Sequence, residues 1–95
     1  MPKTIVIVGA LDTKGDEFAF VKAEIERRGH DTLIIDTGVI GDAAFEADVS
    51  NEQVAEAAGT TIDALKKRGD RGEAIDAMAA GVAEIVQGLY EAGVF

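Results

Sequence analysis

The residues best suited to chemistry lie in a short segment near the start of the chain. An apolar, β-branched run over residues 5–8 ends at Gly9, and Asp12, Thr13 and Lys14 follow closely. Thr13 offers a hydroxyl group and Lys14 a mobile positive charge, and both kinds of group can hold a phosphate oxygen. Asp12 offers a carboxylate for a nucleotide sugar, a base or a bound Mg²⁺. If the segment joins a strand to a helix, the free N–H groups and the dipole of that helix also attract an anion, so the pattern predicts a nucleotide site.

Two more distant residues extend this candidate site. Asp36 ends a second apolar run, Leu33 to Ile35, and an acidic residue at such a position can bind a ribose hydroxyl. Arg71 stands in the first turn of a predicted helix, where a cation is unfavourable because of the helix dipole. A phosphate facing Arg71 would explain its position.

Each of these residues also has a purely structural interpretation, which the sequence leaves open. Asp12 or Thr13 could cap a helix, Lys14 could be solvated, and Arg71 could pair with Asp70 or a neighbouring glutamate. The loop matches neither the P-loop pattern nor the G-x-G-x-x-G dinucleotide fingerprint. The sequence contains no convincing catalytic base, so the catalytic residues are unknown.

The elements that must position the site form a predicted βαβ unit. The two apolar runs are typical of strands that are buried on both faces, as in a parallel sheet. Between them a stripe of Phe18, Val21 and Ile25 indicates a helix that follows a weak capping box at Thr13. Gly29 is its stop signal.

The second part of the chain is predicted to be helical. Residues 37–49 lack a period and predict a loop, and Ser50 and Thr60 each open a short helix. Asp70 then caps a long helix. Five apolar side chains of that helix recur at intervals of three and four residues and form one stripe: Ile75, Met78, Val82, Ile85 and Leu89. Gly81 and Gly88 lie beside this stripe and predict two close approaches of the backbone to neighbouring structure.

The predicted fold class is α/β, a Rossmann-like βαβ unit with parallel strands that forms an incomplete half of a three-layer α/β/α domain. Two strands bury too little surface and leave open edges. Residues 1–95 are therefore expected to be the N-terminal part of a Rossmann-like nucleotide-binding subdomain. We expect the rest of the chain or a second copy to complete the sheet, the latter as a homo-oligomer.

Composition removes several classes of function. The formal charge is −9, which disfavours binding to nucleic acid or to anionic membranes, since both need clustered Lys and Arg. The chain has no cysteine and one histidine, so thiolate chemistry and multi-histidine metal sites are excluded and no metal site is predicted. No apolar run is long enough for a signal peptide or a membrane helix, and a cytoplasmic location is expected.

The segment from Ile5 to Glu17 resembles the opening of an ATP-binding family of unknown activity that includes the tomato mosaic virus resistance protein. The Asp12–Lys14 motif, Asp36, and the Asp70-Arg71-Gly72 segment before an alanine-rich helix follow that family's order. The resemblance implies a much longer protein with two Rossmann-like subdomains.

The resemblance also implies a ligand and its contacts. ATP would be the cofactor, with a possible Mg²⁺, held by residues 12–14 and Arg71. It further implies backbone contacts from Val39 or its neighbour Gly38. ATP binding is therefore the leading function. An NAD-dependent oxidoreductase domain and a protein-interaction module tuned by nucleotide are the alternatives.

Overall fold

The computed structural model describes residues 3–41 and 43–95 of the chain. These residues contain two parallel strands and four helices. In chain order these are β1 (Thr4–Gly9), α1 (Leu11–Arg27), β2 (Asp31–Asp36), α2 (Asn51–Ala57), α3 (Ile62–Arg68) and α4 (Arg71–Glu91). The order β1-α1-β2 with parallel strands confirms the predicted α/β class and the Rossmann-like half. None of the helices in the described ranges is long and apolar enough to cross a membrane.

The two strands are paired in register over their whole length. Thr4 lies opposite Asp31 and Gly9 opposite Asp36, so both strands end level at one edge of the sheet. The outer edge of β2 is partly covered, because Val49 forms a bridge to Ile35. The loop predicted for residues 37–49 is confirmed at residues 37–41 and 43–49, and its last residue adds this short pairing, which the sequence did not predict.

Helices cover the sheet on both faces because the side chains of each strand alternate. On one face a buried cluster joins Ile35 to residues of α2, α3 and α4: Val54, Ala55, Leu65 and Met78. On the other face α1 packs so closely that the ring of Phe18 lies over Gly9. A Cβ at position 9 would overlap that ring, so any larger residue there would force the Phe18 side chain to move.

The capping signals of the second half are mostly confirmed. Ser50 and Gln53 form the predicted capping box at the start of α2, and the Asp70 side chain accepts the Glu73 N–H at the start of α4. α3 is capped by Thr61 rather than by Thr60. Such caps rest on neighbouring residues alone, which explains why a sequence predicts them well.

α1 begins earlier than the sequence predicted. It starts at Leu11 instead of after Thr13, and Lys14 has non-helical backbone angles that kink the helix after its first turn. The Leu11 carbonyl accepts a hydrogen bond of 3.2 Å from Ala44 in the loop after β2. Gly15 is buried against Ala44, with no room for a side chain. The packing of the loop on this first turn therefore displaces the predicted cap.

The apolar stripe of α4 is divided between core and cavity. Met78 is buried, and Val82, Ile85 and Leu89 pack partly against the core. Ile75, predicted to belong to the same stripe, is 61% exposed. It lies one turn above the core, beside an open cavity.

The sequence predicts that the backbone of α4 closely approaches neighbouring structure at Gly81 and at Gly88. The first prediction is confirmed and the second is wrong. A Cβ at Gly81 would overlap the carbonyl oxygen of Val54 on α2, whereas a Cβ at Gly88 would meet nothing within 4 Å. α4 therefore crosses α2 at Gly81, and Gly88 faces open space.

Candidate functional site at the carboxyl ends of the strands

A cavity of about 1020 Å³ lies where β1 and β2 end and α4 begins. Five of the seven residues predicted for the nucleotide site line it: Asp12, Thr13, Gly38, Val39 and Arg71. Parallel α/β sheets bind ligands at this edge. We call this space the strand-end cavity.

The other two predicted residues do not line the strand-end cavity. Lys14 is exposed at the kink of α1, and its predicted phosphate contact stays a prediction. Asp36 is only 3% exposed, and it lies behind the loop that forms the cavity wall.

Asp36 holds the two sides of the site together. Its Oδ1 accepts the N–H of Leu11 at 3.1 Å and the N–H of Gly38 at 2.8 Å, both buried. Ala10, the N-cap residue of α1, has no side-chain oxygen that could accept a hydrogen bond from the free N–H groups of the first turn. Asp36 therefore supplies a cap from the neighbouring strand, and its predicted ribose contact is untested.

Asp12 makes the second connection between α1 and the loop. Its Oδ2 accepts the N–H groups of Ile40 and Gly41, each at 3.0 Å. Its Oδ1 is buried and has no hydrogen-bond partner among the described residues. An ideal Cβ at Gly38 would lie 2.5 Å from this oxygen, so glycine is required for the carboxylate to fit.

Asn51 is a supporting residue that the sequence reasoning missed. Its side-chain N–H donates to the Gly38 carbonyl at 2.7 Å. No local pattern marks Asn51, because the bond joins α2 to a loop thirteen residues away. Together Asp12, Asp36 and Asn51 fix the turn at Gly38 from three elements.

The cavity carries two cations, one of which the sequence analysis overlooked. Arg71 and Lys66 both line it. Glu73, a potential partner of Arg71, pairs with Arg68 instead. Within residues 3–41 and 43–95, neither Arg71 nor Lys66 lies within ion-pair distance of a carboxylate. Lys66 lies in the last turn of α3, where a cation is stabilised by the helix dipole. Its position in the sequence therefore gave no indication of a binding site.

The rest of the cavity wall is largely apolar. Ile75, Met78, Ala79 and Val82 of α4 face Val8 of β1 across it. A space with cations at one end and apolar walls along its length suits a ligand with an anionic group and a flat apolar body. Within the described ranges no three His, Cys, Asp or Glu side chains gather to form a metal site, so a bound Mg²⁺ would depend on oxygens of the ligand.

The fold and this edge define the class of protein: a Rossmann-like α/β half with a cavity at its strand ends. Residues 3–95 match the model of the N-terminal domain of the uncharacterised protein family UPF0261, and the chain belongs to that family. It is 45% identical over 89 residues to a UPF0261 protein of Clostridium tetani, covering 94% of this chain and 22% of the relative. Relatives from Brucella suis and Mesorhizobium japonicum are 40% and 35% identical over 94% and 90% of this chain, and 21% of each relative is covered. No solved structure matches the chain.

These comparisons correct the family assignment made from the sequence. The relatives and the family model are those of UPF0261, and none of them links the chain to the ATP-binding family of the tomato mosaic virus resistance protein. The chain spans about a fifth of the length of the curated relatives it matches.

Proposed function

We propose that this domain binds a nucleotide in the strand-end cavity. The observation that carries the proposal is that two cations, Arg71 and Lys66, line a cavity whose wall is otherwise largely apolar, with Asp12 and Asp70 as the two carboxylates. In a chain of net charge −9, a pair of cations facing one cavity favours an anionic ligand such as the phosphates of ATP.

The neighbouring groups suit the other parts of a nucleotide. The Thr13 hydroxyl, on the cavity wall, can bind a phosphate oxygen or the sugar. The side chains of Ile75, Ala79 and Val82 offer an apolar surface for the base. The turn at Gly38 has no side chain, so the ligand can approach its backbone closely.

Asp12 has a supporting role in this proposal. Because its Oδ2 already holds two N–H groups of the loop, it orients the cavity wall. Its Oδ1 is the one carboxylate oxygen of Asp12 with capacity for a ligand hydroxyl or a hydrated Mg²⁺. The proposal concerns binding, and it assigns no reaction.

Arg71→Ala and Lys66→Ala should each weaken ATP binding about tenfold or more, because a charged hydrogen bond contributes about 1.5–3 kcal/mol. Lys67→Ala is the matched control. Lys67 is exposed beside Lys66 on α3 and does not line the cavity. The measurement is calorimetric titration of ATP, with and without Mg²⁺, into the longest chain that the gene encodes.

Equal affinities for the three variants and the parent chain would contradict the assigned phosphate contacts. Titration of NAD in parallel tests the dinucleotide alternative. A partner protein captured equally well with and without nucleotide would instead favour the interaction module.

A further inference from the structure

Two isoleucines on the wall of the strand-end cavity are largely exposed to solvent. Ile40, in the loop after β2, is 71% exposed, and Ile75 of α4 is 61% exposed. Both line the cavity. The preceding residue, Val39, packs against the buried core cluster, so the loop directs one apolar side chain to the core and the next to the cavity. A large apolar side chain gains free energy only when it leaves water, and a ligand in the cavity would provide that burial.

Hydrogen bonds fix the backbone that carries Ile40. Its N–H and that of Gly41 donate to Oδ2 of Asp12, each at 3.0 Å. The N–H of Gly38, two residues earlier, donates to Asp36 at 2.8 Å. The Ile40 side chain is therefore presented from a backbone already held in one geometry, so a ligand that contacts it loses little binding energy to ordering of the loop.

Ile40 and Ile75 reach the cavity from two different elements, a loop and a helix. Neither side chain carries a hydrogen-bonding group, so the pair suits the two faces of a flat ring better than its polar edge. Arg71 and Lys66 line the same cavity and would hold the charged part of the same ligand.

We propose that the base of the bound nucleotide lies between Ile40 and Ile75, and that Ile40 is a specificity-determining residue that selects a ligand with a base over a bare polyphosphate. The apolar side chains of α4 cover one face of the base, and Ile40 covers the other. The inference rests on nucleotide binding in the strand-end cavity, and it assigns Ile40 a contact that the sequence did not predict.

Calorimetric titration of ATP and of inorganic tripolyphosphate, each into the longest chain that the gene encodes, separates the base from the phosphates. Ile40→Ala should weaken ATP binding about fivefold or more and change tripolyphosphate binding less than about twofold, because it removes apolar area that only the base contacts. Ile40→Leu keeps that area and should bind ATP within about twofold of the parent chain. Arg71→Ala should weaken the binding of both probes, since both carry phosphates.

Phe20→Ala is the matched control, because Phe20 is 70% exposed on α1 and does not line the cavity. If Ile40→Ala binds ATP as tightly as Phe20→Ala while Arg71→Ala binds it more weakly, the base contact is overturned and the phosphate site stands. Equal weakening of ATP and tripolyphosphate by Ile40→Ala would also overturn the contact, since the loss would then not concern the base. A parent chain that binds neither probe would overturn the proposed function and this inference together.

Discussion

Gly81→Ala lowers the free energy of unfolding by about 2 kcal/mol, because the added methyl group overlaps the backbone of α2. The overlap is with the Val54 carbonyl oxygen, which is fixed by the helix and cannot rotate away. For a domain of this size the loss corresponds to a fall of about 8–16 °C in the thermal midpoint. Thermal unfolding followed by circular dichroism measures it.

Gly88→Ala is the matched control on the same helix. A Cβ at Gly88 meets nothing within 4 Å, and alanine is favoured over glycine in a helix by about 1 kcal/mol. This variant should therefore be neutral or slightly stabilising. If both variants shift the midpoint equally, the close crossing of α4 over α2 at Gly81 is wrong.

Asp36→Ala should lower the free energy of unfolding by about 2–5 kcal/mol, since it removes the acceptor of two buried backbone N–H groups. Those groups belong to Leu11 and Gly38, one on each side of the strand-end cavity. The loss should both destabilise the fold and loosen the cavity wall. Chemical denaturation gives the first quantity, and hydrogen exchange at Gly38 gives the second.

Two variants separate the hydrogen bonds of Asp36 from a general effect of replacing an aspartate. Asp36→Asn keeps an acceptor at Oδ1 and should lose less than half as much stability as Asp36→Ala. Asp31→Ala changes an exposed aspartate at the other end of β2. Its free energy of unfolding should stay within about 0.5 kcal/mol of that of the parent chain. A loss for Asp36→Ala no greater than that for Asp31→Ala would contradict the account of how the loop is held.

The sequence predicted those features that depend on neighbouring residues. The βαβ order follows from two apolar runs separated by a helical stripe, and the caps at Ser50 and Asp70 follow from spacings of three residues. Level strand ends then bring Asp12 and Gly38 to one cavity, which Arg71 at the start of α4 also lines.

Other features depend on contacts between distant segments and could not be predicted. α1 starts at Leu11 because Asp36 caps it from the next strand. Ile75 is exposed because α4 extends beyond α2 toward the cavity. The spacing of apolar residues along one helix does not show where a neighbouring helix ends. Lys66 lines the cavity because the turn between α3 and α4 places the last turn of α3 beside it.

The incorrect family assignment has a related cause. It rested mainly on Asp12, Thr13 and Lys14, a short motif at the end of a strand. In the structure Asp12 ties the loop to α1 through two backbone N–H groups. A need of this local kind can arise in unrelated proteins, so the motif does not identify a family.

The most direct test of nucleotide binding at the strand ends is hydrogen exchange on the longest available chain, with and without saturating ATP and Mg²⁺. We expect increased protection in peptides that cover residues 37–41 and 69–75, which border the cavity. Residues 28–32 lie at the opposite end of the sheet and should be unchanged. Protection confined to residues 28–32, or no change anywhere at saturating ATP, would contradict the proposed site.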